Sequence, residues 1–568
     1  MFFGIMNLKS NIDRAVTSEI SNIFSQNLDS SSHIVKICDN NIFVCHHNIG
    51  ALSNRPNFFI DKYNNSFCVV AGEPLICDKN IEKNYRYLHA LMVNNNYSWL
   101  EKTRGVFSAV FFNQDKNTIY LCTDKLGLRP VYYLIKNNYV IFSTQLKFIE
   151  KLSFFSKQLD ETALSEMVGL GYPLDNRTKY HDVKVLREAQ ILKIDADRSE
   201  TFTYWRWDKI KQQSISANEA TAEAYRIFKE AINIRLHGDT NALAFLSGGM
   251  DSRAIIGALS EIGVKTQAFN FSPSSSQDQV FAMQFADQIG CHLNIAYRDR
   301  DYPQGFRCQL ASLVKELVSK QKMYAARPRS IWSGDGGSVS LGCVYLDEKI
   351  VAEMRSQNRL KAIHLFRSKD KRYLPLKAMK KAEAKRLSNF LDNAILSELD
   401  SIYCEDPAQS FFLFLMFNDQ RRHLHDVYEE IDIHKLEYQL PFYDSSLLEY
   451  LFSLPLDYRL NHKFYTDWFK LFPSAVTEVP WQTYPGHMPC PLVFDKNLGY
   501  QWNNEKLEFK EKLKKCLYGG IQGVNICLFA RNIGPLSRTK FGIASMVHLL
   551  GIKDYDYLIK AGKIYSNY

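Results

Sequence analysis

The chain has 568 residues, of which 46% are hydrophobic and 23% charged, a composition that excludes disorder, collagen-like repeats and membrane bundles. That length leads us to expect roughly two to four domains, each able to bury its own core. A sum of 70 Lys and Arg against 61 Asp and Glu leaves +9, a mild bias toward anionic ligands and far from a nucleic-acid signature. No window supplies the roughly 18 uninterrupted apolar residues of a membrane helix. The 12 cysteines lack CxxC pairs and metal-ligand spacing, so they read as reduced, packed thiols of a cytoplasmic protein. The start, MFFGIMNLKS, has no basic leader and turns polar at Lys9, which argues against a signal peptide.

The first 200 residues carry short β-branched and aromatic runs, HIVKICD, NIFVCHH, SFCVVAG, VFSAVFF, TIYLCTD, PVYYLIK and YVIFST, separated by Asn, Asp and Gly clusters. They predict an antiparallel, layered α+β domain. A last strand, ETFTYWRW, precedes a charged stretch from Lys209 to Ser216 and then the helical pattern AYRIFKEAINIRL, which places a domain boundary near residue 208. His46 and His47 read as strand-end surface residues, and Trp205 to Trp207 as interdomain packing.

Beyond the boundary the period alternates. ALAFLS, KTQAFNFS and HLNIAYRD read as strands, and helices closed by Gly263 and Gly290 lie between them. Such alternation predicts a parallel sheet that binds ligands at its strands' carboxyl ends. From about residue 350 helical patterns dominate, and the basic segment Lys506 to Lys515 reads as a solvated face.

At the end of ALAFLS stands SGGMDS, Ser247 to Ser252, ahead of a helix. Gly248 and Gly249 let the backbone approach an oxyanion, the helix N-terminus offers free N–H groups, and Ser247 and Ser252 add hydroxyls. Asp251 inside an anion loop makes sense if it holds a divalent cation such as Mg²⁺ that bridges phosphates. Asp335, flanked by glycines after a strand at Ser330 to Trp332, reads as functional because a carboxylate there has no packing role.

SGGMDS resembles the pyrophosphate loop of ATP-pyrophosphatases, and its surroundings resemble the asparagine synthetase family over nearly the whole chain. RGVFSAVFF, TDKLGLRPVYY and VIFSTQLKFI resemble the family's glutaminase-type domain, and Met167 to Trp207 its closing section. SGDGG, Ser333 to Gly337, resembles S-G-E-G-A-D, and LEYQLPFYDSSLLEY resembles V-E-x-R-x-P-F-L-D. The resemblance implies a degenerate N-terminal Ntn-hydrolase-like sandwich over 1–208. It implies an α/β ATP-pyrophosphatase domain with a parallel sheet and a helical C-terminal part over 209–568. ATP and Mg²⁺ are the implied cofactors, held by Ser247, Gly248, Gly249, Asp251, Ser252, Ser333 and Gly334, with Asp251 on the metal. Phe269 to Ser272 stand where the family holds adenine, and simple core packing explains them equally.

Several positions depart from the family. Glutamine-using members begin their mature chain with a nucleophilic Cys, and here that position is Phe2. Their N-G-E, whose Asn donates to the oxyanion, is Ala71-Gly72-Glu73 here. Cys38 or Cys45 could replace the nucleophile only through a coincidence of geometry. The first domain therefore reads as a structural remnant, as in the β-lactam synthetases and lasso-peptide cyclases. In the second domain the final Asp of S-G-E-G-A-D is Ser338, and the aligned catalytic Lys is Tyr484, with Lys463, Lys470 and His487 near enough in sequence to supply charge. Asp335, Glu437 and Tyr484 are the candidate catalytic residues; Glu437 could act with Asp335 as acid and base, or pair with Arg421 or Arg422.

The expected reaction is an ATP-dependent, AMP-forming amide ligation of a small-molecule or peptide carboxylate with ammonia or an amine. An intramolecular cyclase and a non-catalytic nucleotide-binding protein are the alternatives. Neither nucleic acid nor membrane is expected as a partner, and a homodimer is compatible with the sequence.

Overall fold

In the computed structural model, which describes residues 1–28, 34–52, 56–76, 84–274, 276–296, 306–320, 322, 325, 327–369, 371–500 and 509–566, the N-terminal strands form two antiparallel sheets. Phe2–Asn7 lies inside the first, between Ile42–His47 and Tyr139–Ser143. The second runs through Ser199–Thr203, Gln190–Ile194, Thr118–Thr123, Phe107–Asn113, Phe67–Gly72 and Phe58–Ile60. Apolar residues from both, among them Phe2, Val44, Val69, Val110, Leu121 and Leu192, make one core between the sheets. Helix Arg14–Gln26 packs on the first sheet, and helix Tyr85–Val93 places Leu88 and Met92 in a second core on the other. Alternating strand residues thus bury both faces, which explains strands with few polar positions.

One expectation fails in this layer, and one strand goes unread in the sequence. Phe2–Asn7 is a fully buried strand that the apolar start of the sequence does not by itself announce. His46 and His47 are buried rather than exposed, because their strand is covered on both faces. The His46 Nε2 lies 3.2 Å from the Val70 carbonyl, and burial lowers its pKa to about 3, so the ring is neutral.

A five-stranded sheet follows, in the order His292–Ile295, Lys265–Asn270, Asn241–Phe245, Ser330–Trp332, Glu437–Gln439, parallel throughout. Helix Ala217–Leu236 enters it with a capping box at Ser216 and Glu219. Helices Met250–Glu261 and Gln277–Ile289 are the crossovers; left-handed Gly290 ends the second, and Gly263 with φ +83° follows the first.

The chain divides into two compact units. One comprises Met1–Phe155, Val185–Asp347 and Gln420–Trp502, the other Ser156–Lys184, Glu348–Asp419 and Asn503–Tyr568. The first holds the sandwich and the parallel sheet, and the change of strand period near residue 208 lies inside it. Trp207, buried, donates its Nε1 proton to the Lys125 carbonyl and meets Phe452 edge-on at 5.3 Å between centroids. The second unit is helical. Its helix Phe509–Phe529 packs on Arg538–Leu549, where a Cβ on Gly520 would come within 2.4 Å of Leu549. Residues 506–508 of the basic segment lie outside the described residues.

Candidate functional site

The central strand Asn241–Phe245 delivers SGGMDS to the carboxyl edge of the parallel sheet. The Ser247 N–H donates to Ser252 Oγ at 3.0 Å, the Gly249 N–H to Ser247 Oγ at 3.3 Å, and the Gly248 N–H to Asp278 Oδ1 at 3.2 Å. The serine hydroxyls and Asp278 therefore shape the loop from within, and the helix that begins at Met250 carries no side-chain cap. Its first N–H groups are the donors left for an oxyanion. Gly248 is required by space, since a Cβ would come within 2.5 Å of the Gln277 carbonyl oxygen.

Strand Ser330–Trp332 brings up the second loop. Ser333 Oγ donates to Asp335 Oδ2 at 3.0 Å, and the Asp335 N–H donates back to it at 3.3 Å. Gly334 sits so close to the first loop that a Cβ would lie 2.7 Å from the Ser252 nitrogen. The hydroxyls of Ser338 and Tyr465 both donate to Asp251 Oδ1, at 2.9 and 2.5 Å. Burial nevertheless raises the Asp251 pKa to about 6, with the nearby Asp335 charge adding to it.

These loops enclose a cavity of about 350 Å³ lined by Ser247, Gly249, Met250, Asp251, Asp278, Asp335, Ser338, His462, Gln482, Thr483, Tyr484 and Tyr500. Three of these residues are carboxylates, and none is Lys or Arg. Tyr484 faces the same space with its pKa raised by burial first and by Asp251 second. His462 packs against His487 at 4.4 Å between rings, and burial lowers its pKa to about 3, which leaves a neutral imidazole. Asp278, His462, Tyr465, Gln482 and Tyr500 are absent from the sequence candidates, because no local pattern marks them; the sheet and the segment after residue 460 bring them in.

The remaining candidates sit elsewhere. Phe269 is buried at the end of its strand with its ring stacked on Phe271, outside the cavity lining. Lys463 is exposed, and Lys470 pairs with Asp467 at 2.8 Å. The structure does not bring Glu437 together with Asp335, nor pair it with Arg421 or Arg422. It is buried and bonded to Arg129, which also donates to Asp432 Oδ1 at 2.7 Å. Burial still raises the Glu437 pKa to about 7, against the pull of Arg129.

Glu437 and Arg129 line a second, smaller cavity of about 60 Å³, together with His47, Asn57, Gly72, Glu73, Tyr85 and His237. His237 Nε2 lies 2.9 Å from Glu73 Oε2. Among the described lining residues there is no Cys, Ser or Thr. Phe2 is wholly buried in the core, Ala71 is buried in its strand, and burial raises the Cys45 pKa to about 12.

The fold is a mixed α/β one, an antiparallel sandwich followed by a parallel sheet with a glycine-rich loop at its carboxyl edge. A glutamine amidotransferase domain model matches residues 88–205, and an asparagine synthase model matches residues 223–307. The chain is 27% identical over 179 residues to putative asparagine synthetase [glutamine-hydrolyzing] 2 of Methanocaldococcus jannaschii, covering 31% of this chain and 35% of that protein. It is 27% identical over 157 residues to asparagine synthetase [glutamine-hydrolyzing] 3 of Bacillus subtilis, covering 28% and 25%. A longer alignment, 19% identical over 367 residues, joins it to putative asparagine synthetase [glutamine-hydrolyzing] 1 of M. jannaschii, over 64% of this chain and 58% of that protein. These matches make the chain similar to asparagine synthetases in two separate stretches, one on either side of residue 208. The first two alignments span only about a third and a quarter of the relatives' length. Among the described residues no helix is long and apolar enough to cross a membrane.

Proposed function

We propose that this chain is a carbon–nitrogen ligase that converts ATP to AMP and pyrophosphate, adenylating a carboxylate for attack by ammonia or an amine, without a glutaminase reaction of its own. The observation that carries this reading is the cavity over SGGMDS, which combines an uncapped helix N-terminus with Asp251, Asp278 and Asp335 and has no Lys or Arg among its described lining residues. A polyphosphate enters such a cavity only with divalent metal, because three carboxylates repel it and the N–H dipoles alone do not offset them. The donor set is one of hard oxygens and suits Mg²⁺: Asp251 would be its protein ligand, and Ser338 contributes a hydroxyl where the family's sequence has Asp. Bound there, the metal would supply charge neutralisation at the phosphates.

The chain's own groups then divide the work. The first amides of helix Met250–Glu261 hold the phosphates. Ser247, Ser252 and Asp278 fix the loop in the shape that exposes those amides. The substrate carboxylate oxygen attacks the α-phosphorus and pyrophosphate leaves; the amine nitrogen then attacks the acyl carbon and AMP leaves. Asp335, inside the cavity, is placed to take the proton the amine loses. Tyr484 keeps its proton and offers a neutral donor in place of a lysine.

In this reading residues 1–208 are a glutaminase-type domain that has lost its chemistry and 209–568 the ligase domain. Phe2 in the core and a small cavity with no Cys, Ser or Thr among its described lining residues support the loss. Free thiols at all described cysteines fit the cytoplasm. The test is pyrophosphate and AMP formation from ATP and Mg²⁺ with a panel of carboxylates plus ammonium or amines, with Asp335→Ala as control. If turnover in this assay is unchanged by Asp335→Ala, the assignment of the reacting site is wrong.

A further inference from the structure

Arg253, two residues after Asp251, is fully buried. Its Nη1 donates to the Val479 carbonyl at 2.8 Å, and Nη2 to the Pro480 carbonyl at 2.6 Å, with the Gly248 and Phe281 carbonyls at 3.4 and 3.5 Å. Its guanidinium stands 5.3 Å from the centre of the Phe285 ring, and its Nε has no acceptor. Every acceptor is a neutral carbonyl; among the described residues Arg253 forms no ion pair. A guanidinium cannot shed its charge at neutral pH, and a buried charge without a counter-charge is costly unless something supplies one.

The surroundings say where that counter-charge belongs. The Gly248 peptide is part of the anion loop, and its carbonyl also accepts from the Gln482 N–H at 2.9 Å. Arg253 thereby ties residues 479 and 480 to the loop, and the residues just after them, Gln482, Thr483 and Tyr484, line the cavity. The described lining residues of the cavity include no Lys or Arg. We propose that Arg253 is a positioning residue whose buried charge is completed by the polyphosphate of the bound nucleotide, and which clamps the 479–484 segment onto the phosphate loop. The idea rests on the nucleotide reading above, and it assigns to a residue behind the loop a fixed positive charge that the described lining residues do not supply.

The test measures binding of MgATP, magnesium pyrophosphate and adenosine to the wild type, Arg253→Met and Arg253→Lys, with hydrogen exchange at the amides of residues 481–484. Arg253→Met should weaken MgATP and pyrophosphate by about tenfold or more while adenosine changes by less than about twofold. Arg253→Lys should keep most polyphosphate affinity but speed amide exchange in the segment, since a compact ammonium cannot reach the four carbonyls that the guanidinium fork spans. Equal losses for adenosine and MgATP, or none, would show that Arg253 is only a structural staple. If Arg253→Met does not fold, Arg253→Lys decides alone: unchanged exchange, or parallel loss of adenosine and pyrophosphate, overturns the proposal. Wild-type protein that binds neither MgATP nor pyrophosphate overturns the nucleotide reading and this inference with it; wild-type binding that survives in Arg253→Met overturns this inference alone.

Discussion

Two cavities of the first unit, the one beside Arg129 and the one over SGGMDS, treat charge in opposite ways. In the small one, Arg129 is bonded to Asp432 and Glu437, and His237 faces Glu73, so the charges meet partners within the protein. In the larger one, Asp251, Asp278 and Asp335 face a common space, with hydroxyls and amides among their partners and no Lys or Arg among the described lining residues. A carboxylate held against a cation is answered by the fold itself; one held by neutral donors keeps its charge available to a cation from outside.

The most severe way to break the comparison is at Asp251. Asp251→Ala should lower pyrophosphate release by about a thousandfold or more, since it removes the carboxylate assigned to the metal among developing phosphate charge. Residual turnover within about tenfold of wild type would move the metal elsewhere. Next comes Arg129→Met, which strands Asp432 and Glu437 in the interior and should cost about 3–5 kcal/mol in denaturant unfolding. Its MgATP affinity, measured on folded protein, should stay as in the wild type.

A gentler change sharpens the same contrast. Asp251→Asn keeps an acceptor for Ser338 and Tyr465 while removing a buried charge. The folded carboxyl has a pKa of about 6, above its ordinary value, so its ionised form weakens the metal-free fold at neutral pH. Asn should therefore stabilise the metal-free protein by on the order of 2 kcal/mol above about pH 6, and the gain should fade as pH falls toward about 4 and the carboxyl takes its proton. Thermal unfolding at several pH values checks the sign; a gain that grows on acidification contradicts it. The smallest effect is expected at the small cavity, where Phe2→Cys should produce no glutamate from glutamine, because residue 2 packs in the core and Ala71 offers no oxyanion donor.

The features legible in the sequence are local ones. SGGMDS, the helix closed at Gly290, the strand Ser330–Trp332 and the alternation around them can be read because each depends on residues within one turn or one strand. Phe2 and Ala71 are equally legible as departures from the motifs the sequence resembles, since a different side chain needs no geometry to be noticed. Less could be read where two readings shared one pattern: Phe269 packs on Phe271, and Glu437 pairs with Arg129, a residue 308 positions earlier. His46 and His47 were misplaced for a related reason, because a strand covered on both faces loses the alternation that reveals its inner side.

What the sequence alone determined is the order of elements and the glycine-rich SGGMDS turn from strand into helix, both consequences of side-chain type and short-range spacing. The tertiary structure decided which charges are answered. Asp251 meets Ser338 and Tyr465 across 87 and 214 residues, and Arg253 meets Val479 and Pro480 across 226 and 227. Contacts that long form only when the parallel sheet brings its loops to one edge, and burial there sets whether a carboxylate or a guanidinium is paired, neutral or left for a ligand.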